Sequence, residues 1–281
     1  MRRLRASAGN SSSRLSKEVE HVVDDARGCL KNCAVVCARL SCAVNPQLER
    51  PVNTDALKRF AALEAVKHVK SGMRVGLGTG STSKHALQAI AEMLEKGELT
   101  DITGMATSTA TERQARALHI PLLPIDTDTR LALAIDGADE VDPAGNLIKG
   151  GGGAMLRERK VEEKADLFIV IVDESKLSTK LGLKFALPVE VLSASVDTEK
   201  IFLESLAAHV TRRVGNDGPF ITDDGNAILD ARFPHGIDDP QSIAAALEAR
   251  SNVKAHGLFL RMTNILIVAG SKGVEVREVR K

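Results

Sequence analysis

Tryptophan and tyrosine are absent from the 281 residues, and phenylalanine occurs only 7 times. Without aromatic platforms, base stacking and stacking on sugar faces are excluded as the main binding devices. The core has to be filled by aliphatic side chains. No run of about 18 apolar residues occurs, so no membrane span is expected. Neither sign of charge predominates, with 38 Lys and Arg against 37 Asp and Glu and a net charge of +1. Such a chain has no long-range attraction to nucleic acid or to a membrane surface, and neither is expected as a partner. Cysteine is confined to Cys29, Cys33, Cys37 and Cys42. That excludes a disulfide-built fold for the rest of the chain and points to a reducing, cytoplasmic compartment. What is present is a 43% apolar fraction, enough for a core, and a length that suits one large α/β domain or two domains.

Residues 1–52 differ from the remainder. They open with MRRLRASAGNSSSRLSK, Arg- and Ser-rich without an acid, like an organelle transit peptide. Glu18, Glu20, Asp24 and Asp25 follow, which such peptides avoid. The segment is expected to be a poorly ordered extension, with import into a plastid or another organelle as the alternative. The cysteine spacing puts most sulfurs near one face of a helix, an apolar stripe rather than a metal site, which usually carries a tighter CxxC pair.

From Asn53 onward the pattern is that of an alternating fold. In DALKRFAALEAVKHVK the residues Leu57, Phe60, Leu63, Val66 and Val69 predict an amphipathic helix, capped by Asn53 or Thr54 and closed by Gly72. Strands are expected at 73–77, 102–106, 120–124, 131–135 and 167–172, with helices at 82–96, 110–118 and 154–164. Short apolar strands between helices call for a mostly parallel sheet covered on both faces. After Leu187 strand-rich segments surround helices at 198–209 and 240–249, the second capped by Asp239 ahead of Pro240. This reads as a small α+β unit, after which NILIVAG and VEVREV return to the first sheet. The predicted division is 53–186 with 265–281 for the larger domain and 187–264 for the smaller.

Four loops follow predicted strands, where open α/β sheets build their crevice. GLGTGSTS, Gly76 to Ser83, combines glycines that let a ligand approach the backbone with the start of a helix, whose free N–H groups suit a phosphate. It lacks the Lys of a Walker A loop and is not GxGxxG. DGADEVD clusters Asp136, Asp139, Glu140 and Asp142, a set suited to acid–base work or to a cation; no His accompanies it. KGGGGAMLRERK brings Lys149 next to four glycines that have no packing value, followed by Glu158 in a helix. DESKL places Lys176 just past a buried strand.

In this order and spacing the four loops, with LPVEV, TDDGN, DDP and HGLF, resemble ribose-5-phosphate isomerase of type A, from about Asp55 to the C-terminus. The resemblance implies a Rossmann-like α/β domain, its sheet mostly parallel, carrying a smaller inserted ferredoxin-like α+β domain. It implies a homodimer or homotetramer, no cofactor and no metal. The expected activity is interconversion of ribose 5-phosphate and ribulose 5-phosphate, in the non-oxidative branch of the pentose phosphate pathway. Carried over by motif, Thr79, Gly80, Ser81 and Thr82 hold the phosphate with Lys176, and Asp136, Gly137, Ala138 and Asp139 hold hydroxyls. Lys149, Gly150, Gly151 and Gly152 stabilise an enediolate, and Glu158 is the base. Which of Asp136 and Asp139 handles the ring proton stays open. The chain departs from the family at Arg159, where Lys is usual, and at Ser251-Asn252-Val253, where Pro-Gly-Val is common. The family's Arg before TDDGN corresponds to Arg212, Arg213 or neither. Three other readings fit less well: a sugar-phosphate-sensing DNA-binding regulator, a deaminase or coenzyme A transferase on the same scaffold, and a dinucleotide-binding enzyme.

Overall fold

Leu133–Asp136 and Phe168–Asp173 have no polar alternation, so both faces of these strands must be covered, and every residue of both is buried. They stand at the centre of a six-stranded sheet in the computed structural model of the protein, which describes residues 53–279. The expectations for residues 1–52, including the extension, the transit peptide and the cysteine stripe, fall outside the described residues.

The main sheet is formed by β1 (Arg74–Leu77), β2 (Thr103–Ala106), β3 (Leu133–Asp136), β6 (Phe168–Asp173), β14 (Ile265–Gly270) and β15 (Gly273–Glu278), in the order β15-β14-β6-β3-β1-β2. All neighbours are parallel except β14 and β15. The chain runs from β1 outward to β2 and then returns to the other side of β1 as β3. That reversal opens a crevice beyond the carboxyl ends of β1 and β3. Helices α1 (Thr54–Val66) and α2 (Ser81–Glu95) cover one face, packed on Val75, Ile135, Ile169 and Ile267. Helix α3 (Thr109–Ala117) follows β2. Helix α4 (Met155–Glu162) packs on the other face, Met155 against Phe168 and Val170, and Val161 against Met105 and Leu131.

Two expectations change here. Residues spaced by three drift about 60° per step around a helix of 3.6 residues per turn. The expected stripe of α1 is therefore only partly in the core: Leu57 packs against it and Val66 and Val69 are buried, but Phe60 is 51% and Leu63 37% exposed, and Ala61, Ala62 and Ala65 supply the rest of the buried face. The expected strand at 120–124 is a single bridge between Leu122 and Gly104.

The smaller sheet is built from β7 (Leu187–Val191), α5 (Val196–Ser205), β8 (His209–Arg212), the two-residue strands β9 (Val214–Gly215) and β10 (Gly218–Pro219), β11 (Ala227–Arg232), α6 (Pro240–Glu248) and β12 (Val253–His256). Without the β9–β10 hairpin this is β-α-β-β-α-β, antiparallel, in the spatial order β12-β7-β11-β8. That is the ferredoxin-like arrangement the resemblance implied. Asp239 caps α6 by accepting from Gln241 N and Ser242 N, both at 3.1 Å. Three short strands join the layers: β4 (Glu140–Val141), β5 (Leu147–Ile148) and β13 (Leu258–Phe259). The pairing of β5 with β13 sets Lys149 beside the exit of the smaller sheet, where Lys149 N donates to Gly257 O at 2.9 Å. Among the described residues no helix is long and apolar enough to cross a membrane.

Candidate active site

The turn after β1 has to pass over the end of β3. A Cβ on Gly78 would land on the Asp136 carboxyl, so only glycine fits there. Asp136, 1% exposed, uses the gap: its Oδ1 accepts from Thr79 N at 2.9 Å, Ser83 Oγ at 2.8 Å and Gly137 N at 2.7 Å. One carboxylate thus locks the two loops together. Gly80, at φ +102°, turns the chain into α2 without a side-chain cap, and no acid stands in the first turn. The amides of Gly80, Ser81 and Thr82 have no acceptor among the described residues. They leave an open helix N-terminus with its positive dipole end, suited to an anion. The Thr79 hydroxyl is engaged elsewhere, within 2.7–3.1 Å of the hydroxyls of Thr107, Ser108 and Thr111.

These amides face a cavity of about 120 Å³. It is lined by Thr79 to Thr82, Gly137 to Asp139, Lys149 to Gly152, Glu158, Lys176 and Lys58. Every expected site residue lines it except Asp136, which lies beneath the loops and reaches the cavity only through its partners. Lys58, the one lysine of α1, was not foreseen; nothing in the local sequence sets it apart from a solvent-facing lysine on an amphipathic helix.

Beside the cavity is a nearly dry charge cluster. Lys149, with its side chain 2% exposed, donates from Nζ to Gly137 O at 2.7 Å. The same nitrogen lies 2.9 Å from Asp136 Oδ2, 3.0 Å from Glu162 Oε1 and 4.0 Å from Glu158 Oε2. The contacts to Asp136 and Glu162 are close but poorly directed, so these oxygens count as ion contacts rather than satisfied acceptors. Burial alone would pull the Lys149 ammonium down, but Asp136, Glu158 and Glu162 outweigh it and hold the lysine above its usual value.

Three carboxyls around one ammonium leave surplus negative charge in a dry site, and the physical response is protonation. Burial pushes Glu158 up to about 8; Lys149 pulls against this, and Asp136 and Asp139 add to it. Burial raises Glu162 well above the ordinary carboxylate range, again against the pull of Lys149. Asp139 is also raised by burial, opposed by the Gly151 N–H it accepts at 2.7 Å and by Lys149. Glu162 is a second unforeseen member of the site. Its signal was its position four residues after Glu158, on the same helical face.

The glycine loop leaves two donors free. Gly151 N is bound to Asp139, whereas Gly150 N and Gly152 N have no acceptor among the described residues. A cavity bounded by free amides, an ammonium and a carboxyl with a raised pKa can bind an anion, take a proton from carbon and stabilise the resulting oxyanion. Among the described residues no three His, Cys, Asp or Glu side chains stand in a metal-holding arrangement.

The model of the family described as ribose 5-phosphate isomerase A (phosphoriboisomerase A) matches residues 103–273. A ribose-5-phosphate isomerase A from Desulfatibacillum aliphaticivorans is 52% identical over 78% of this chain and 96% of its own length. A probable chloroplastic ribose-5-phosphate isomerase 3 of Arabidopsis thaliana is 47% identical over 80% of this chain and 84% of its own. Among solved structures, a D-ribose-5-phosphate isomerase in complex with phospho-erythronic acid superimposes with a TM-score of 0.78 at 39% identity, covering 80% of this chain and 99% of that one. The Plasmodium falciparum ribose 5-phosphate isomerase gives 0.79 at 37% identity, covering 81% and 100%.

Proposed function

The chain belongs to the ribose 5-phosphate isomerase A family, and on that premise we propose how its cavity interconverts ribose 5-phosphate and ribulose 5-phosphate. The reaction moves a proton from C2 to C1 through an enediolate. Glu158 in its ionised form takes the C2 proton and returns it to C1. The Lys149 ammonium and the free amides of Gly150 and Gly152 stabilise the charge that develops on the substrate oxygen. These groups are already in place and need little reorganisation during the step. Asp139 handles the ring proton when the furanose opens, because it lines the cavity while all of Asp136 is turned inward. Asp136 is then a positioning residue for the two loops and for Lys149.

The phosphate sits on the amides and hydroxyls of Ser81 and Thr82, with Lys58 and Lys176 beside it, and it orients C2 rather than taking part in the chemistry. Phospho-erythronic acid, bound by the relative, carries a phosphate and a carboxylic acid. It suits a cavity with an open helix N-terminus and a buried lysine. The proposal is carried by one observation: Glu158, Lys149 and the uncapped start of α2 border the same small cavity. By the same resemblance the enzyme assembles as a homodimer or homotetramer, which light scattering on the purified chain tests.

The direct test is formation of ribulose 5-phosphate from ribose 5-phosphate with EDTA present. Undiminished activity is expected. Loss restored by a divalent ion would place a metal among the carboxylates. Replacing Lys149 by Ala should lower kcat more than it raises KM, and a rise in KM alone would remove Lys149 from oxyanion stabilisation.

A further inference from the structure

The glycine loop has no side chains of its own to hold it. Fixing a residue's backbone costs conformational entropy, and glycine loses the most. One turn bond, from Gly153 N to Gly150 O at 2.9 Å, ties the run internally, and the direction of its remaining peptide planes has to be held from outside.

The pin comes from the smaller sheet. Arg213 follows β8 directly, and its side chain is 13% exposed. Its Nε donates to Asp230 Oδ2 on β11 at 3.0 Å, and Nη2 reaches the other carboxylate oxygen. Its Nη1 points the other way, donating to Gly150 O at 2.8 Å and Gly151 O at 3.1 Å. The planar guanidinium thus bridges two layers, with one edge on a carboxylate and another on two loop carbonyls. Phe220 stands 5.9 Å from it, and its ring fills the space a Cβ on Gly153 would need. Arg213 does not line the substrate cavity.

The carbonyls it grips matter because a trans peptide unit is rigid and points its N–H away from its C=O; no peptide in the described residues is cis. The Gly150 carbonyl shares a peptide plane with the Gly151 N–H that Asp139 accepts. The Gly151 carbonyl shares one with the unpaired Gly152 N–H. Holding both carbonyls from outside sets the direction of both amides.

We infer that Arg213 is a positioning residue for the isomerisation, fixing from the smaller sheet the two peptide planes that aim Gly151 N–H at Asp139 and Gly152 N–H into the cavity. The inference rests on the proposed oxyanion role of the glycine loop. The smaller sheet then does more than enlarge the molecule: one of its side chains orients the machinery of the larger one.

The test is steady-state kinetics on ribose 5-phosphate for Arg213→Met, Arg213→Lys, Asp230→Asn and the double variant Arg213→Met/Asp230→Asn, each checked for folding by thermal melting. A misaimed donor costs turnover rather than phosphate binding, so Arg213→Met should lose about tenfold or more in kcat with KM changed less than about threefold. Arg213→Lys should recover part of the loss, because one ammonium can grip a carbonyl but cannot span to Asp230. Asp230→Asn should lose less than Arg213→Met, and the double variant no more than Arg213→Met alone, as expected of residues acting through one contact. Wild-type kcat in folded Arg213→Met would overturn the inference, as would a loss confined to KM or losses that multiply in the double variant. If Arg213→Met does not fold, Arg213→Lys and Asp230→Asn are judged by the same split between kcat and KM. Failure of the underlying reading looks different: Lys149→Ala would then keep its kcat. A crippled Lys149→Ala beside a normal Arg213→Met would overturn the role of Arg213 alone.

Discussion

The groups around the cavity fall into two sets built on opposite principles. The set assigned to the phosphate, Ser81, Thr82, Lys58 and Lys176, is partly or fully exposed and relies on backbone amides and flexible lysines. The set around the proposed chemistry, Asp136, Lys149, Glu158 and Glu162, is 1–4% exposed, and within it Lys149, Glu158 and Glu162 are held above their usual pKa values. Binding an anion at a helix start needs no buried charge, because the dipole and free N–H groups are there for any helix left uncapped. Abstracting a carbon-bound proton near neutral pH needs a base stronger than an ordinary carboxylate, and burial among like charges supplies one. The contrast implies that substitutions in the exposed set act on KM and those at Glu158 and Lys149 on kcat.

The largest expected effect is at Glu158. Glu158→Gln keeps the shape and removes the base, so turnover should fall by about 10²–10⁴-fold with KM little changed. The acid limb of kcat/KM in the wild type should have its midpoint near 8, set by the burial of Glu158, and this limb should be missing from the residual activity of the variant. Next comes Lys149→Met, measured by both kinetics and melting. It should lower kcat by roughly 10²–10³-fold. It should also destabilise the fold by about 3–5 kcal/mol, since the buried carboxyls lose the cation that, among the described residues, stands within 4.0 Å of all three. In the exposed set, Lys58→Ala or Lys176→Ala should raise KM by about tenfold, the order of one charge-assisted contact, at nearly constant kcat. A collapse of kcat there would break the contrast.

The smallest kinetic effect is expected at Glu162, buried on the same helix as Glu158 and one turn on. Glu162→Gln should stay within a few-fold of wild-type turnover, since the proposal gives it no proton to transfer. Stability is where its carboxyl and that of Glu158 show. In the unfolded chain a glutamate titrates near about 4.3; in the fold both are raised, Glu158 to about 8. A raised carboxyl favours folding while it is protonated. Its contribution is complete below the unfolded value and is lost as pH rises through the folded one. The melting temperature of Glu158→Gln should therefore gain on that of the wild type between pH 4.5 and 8. A constant difference would mean that Glu158 is not raised.

Of the exposed set, the loop carrying Ser81 and Thr82 was legible in the sequence itself, whereas Lys58 was not and Lys176 took its role from the resemblance. Glycine runs after strands mark close backbone approach, and GTGSTS marks a strand-to-helix turn whose free N–H groups suit a phosphate; that no side chain caps it is seen only in the structure. Family resemblance supplied the roles of Lys149 and Glu158, which periodicity could not, since a helical glutamate ordinarily faces water. Glu162 was missed for that reason: in MLRERKVE the charged residues dominate, and only packing of α4 on β3 and β6 reveals that two of its acids point inward. Asp136 was expected among the hydroxyl-binding residues, but the missing Cβ of Gly78 lets the β1 turn fold over it. The apolar stripe of α1 failed for another reason. Phe60 and Leu63 look hydrophobic enough to be core, yet close packing of α1 on α2 favours the small face of Ala61, Ala62 and Ala65. Nothing in the local sequence marked Arg213 over Arg212 as the one that reaches the glycine loop; the contacts to the Gly150 and Gly151 carbonyls do so.

The central claim is that Glu158 removes the C2 proton while the exposed set holds the phosphate. It is tested most directly by following loss of deuterium from C2 of deuterated ribose 5-phosphate at saturating concentration, in the wild type and in Glu158→Gln. The account predicts rapid loss to products and solvent with the wild type, and loss slowed by hundreds-fold or more in the variant, even though its sites are filled. Deuterium loss at the wild-type rate from Glu158→Gln would show that another group is the base and would contradict the division of the cavity drawn above.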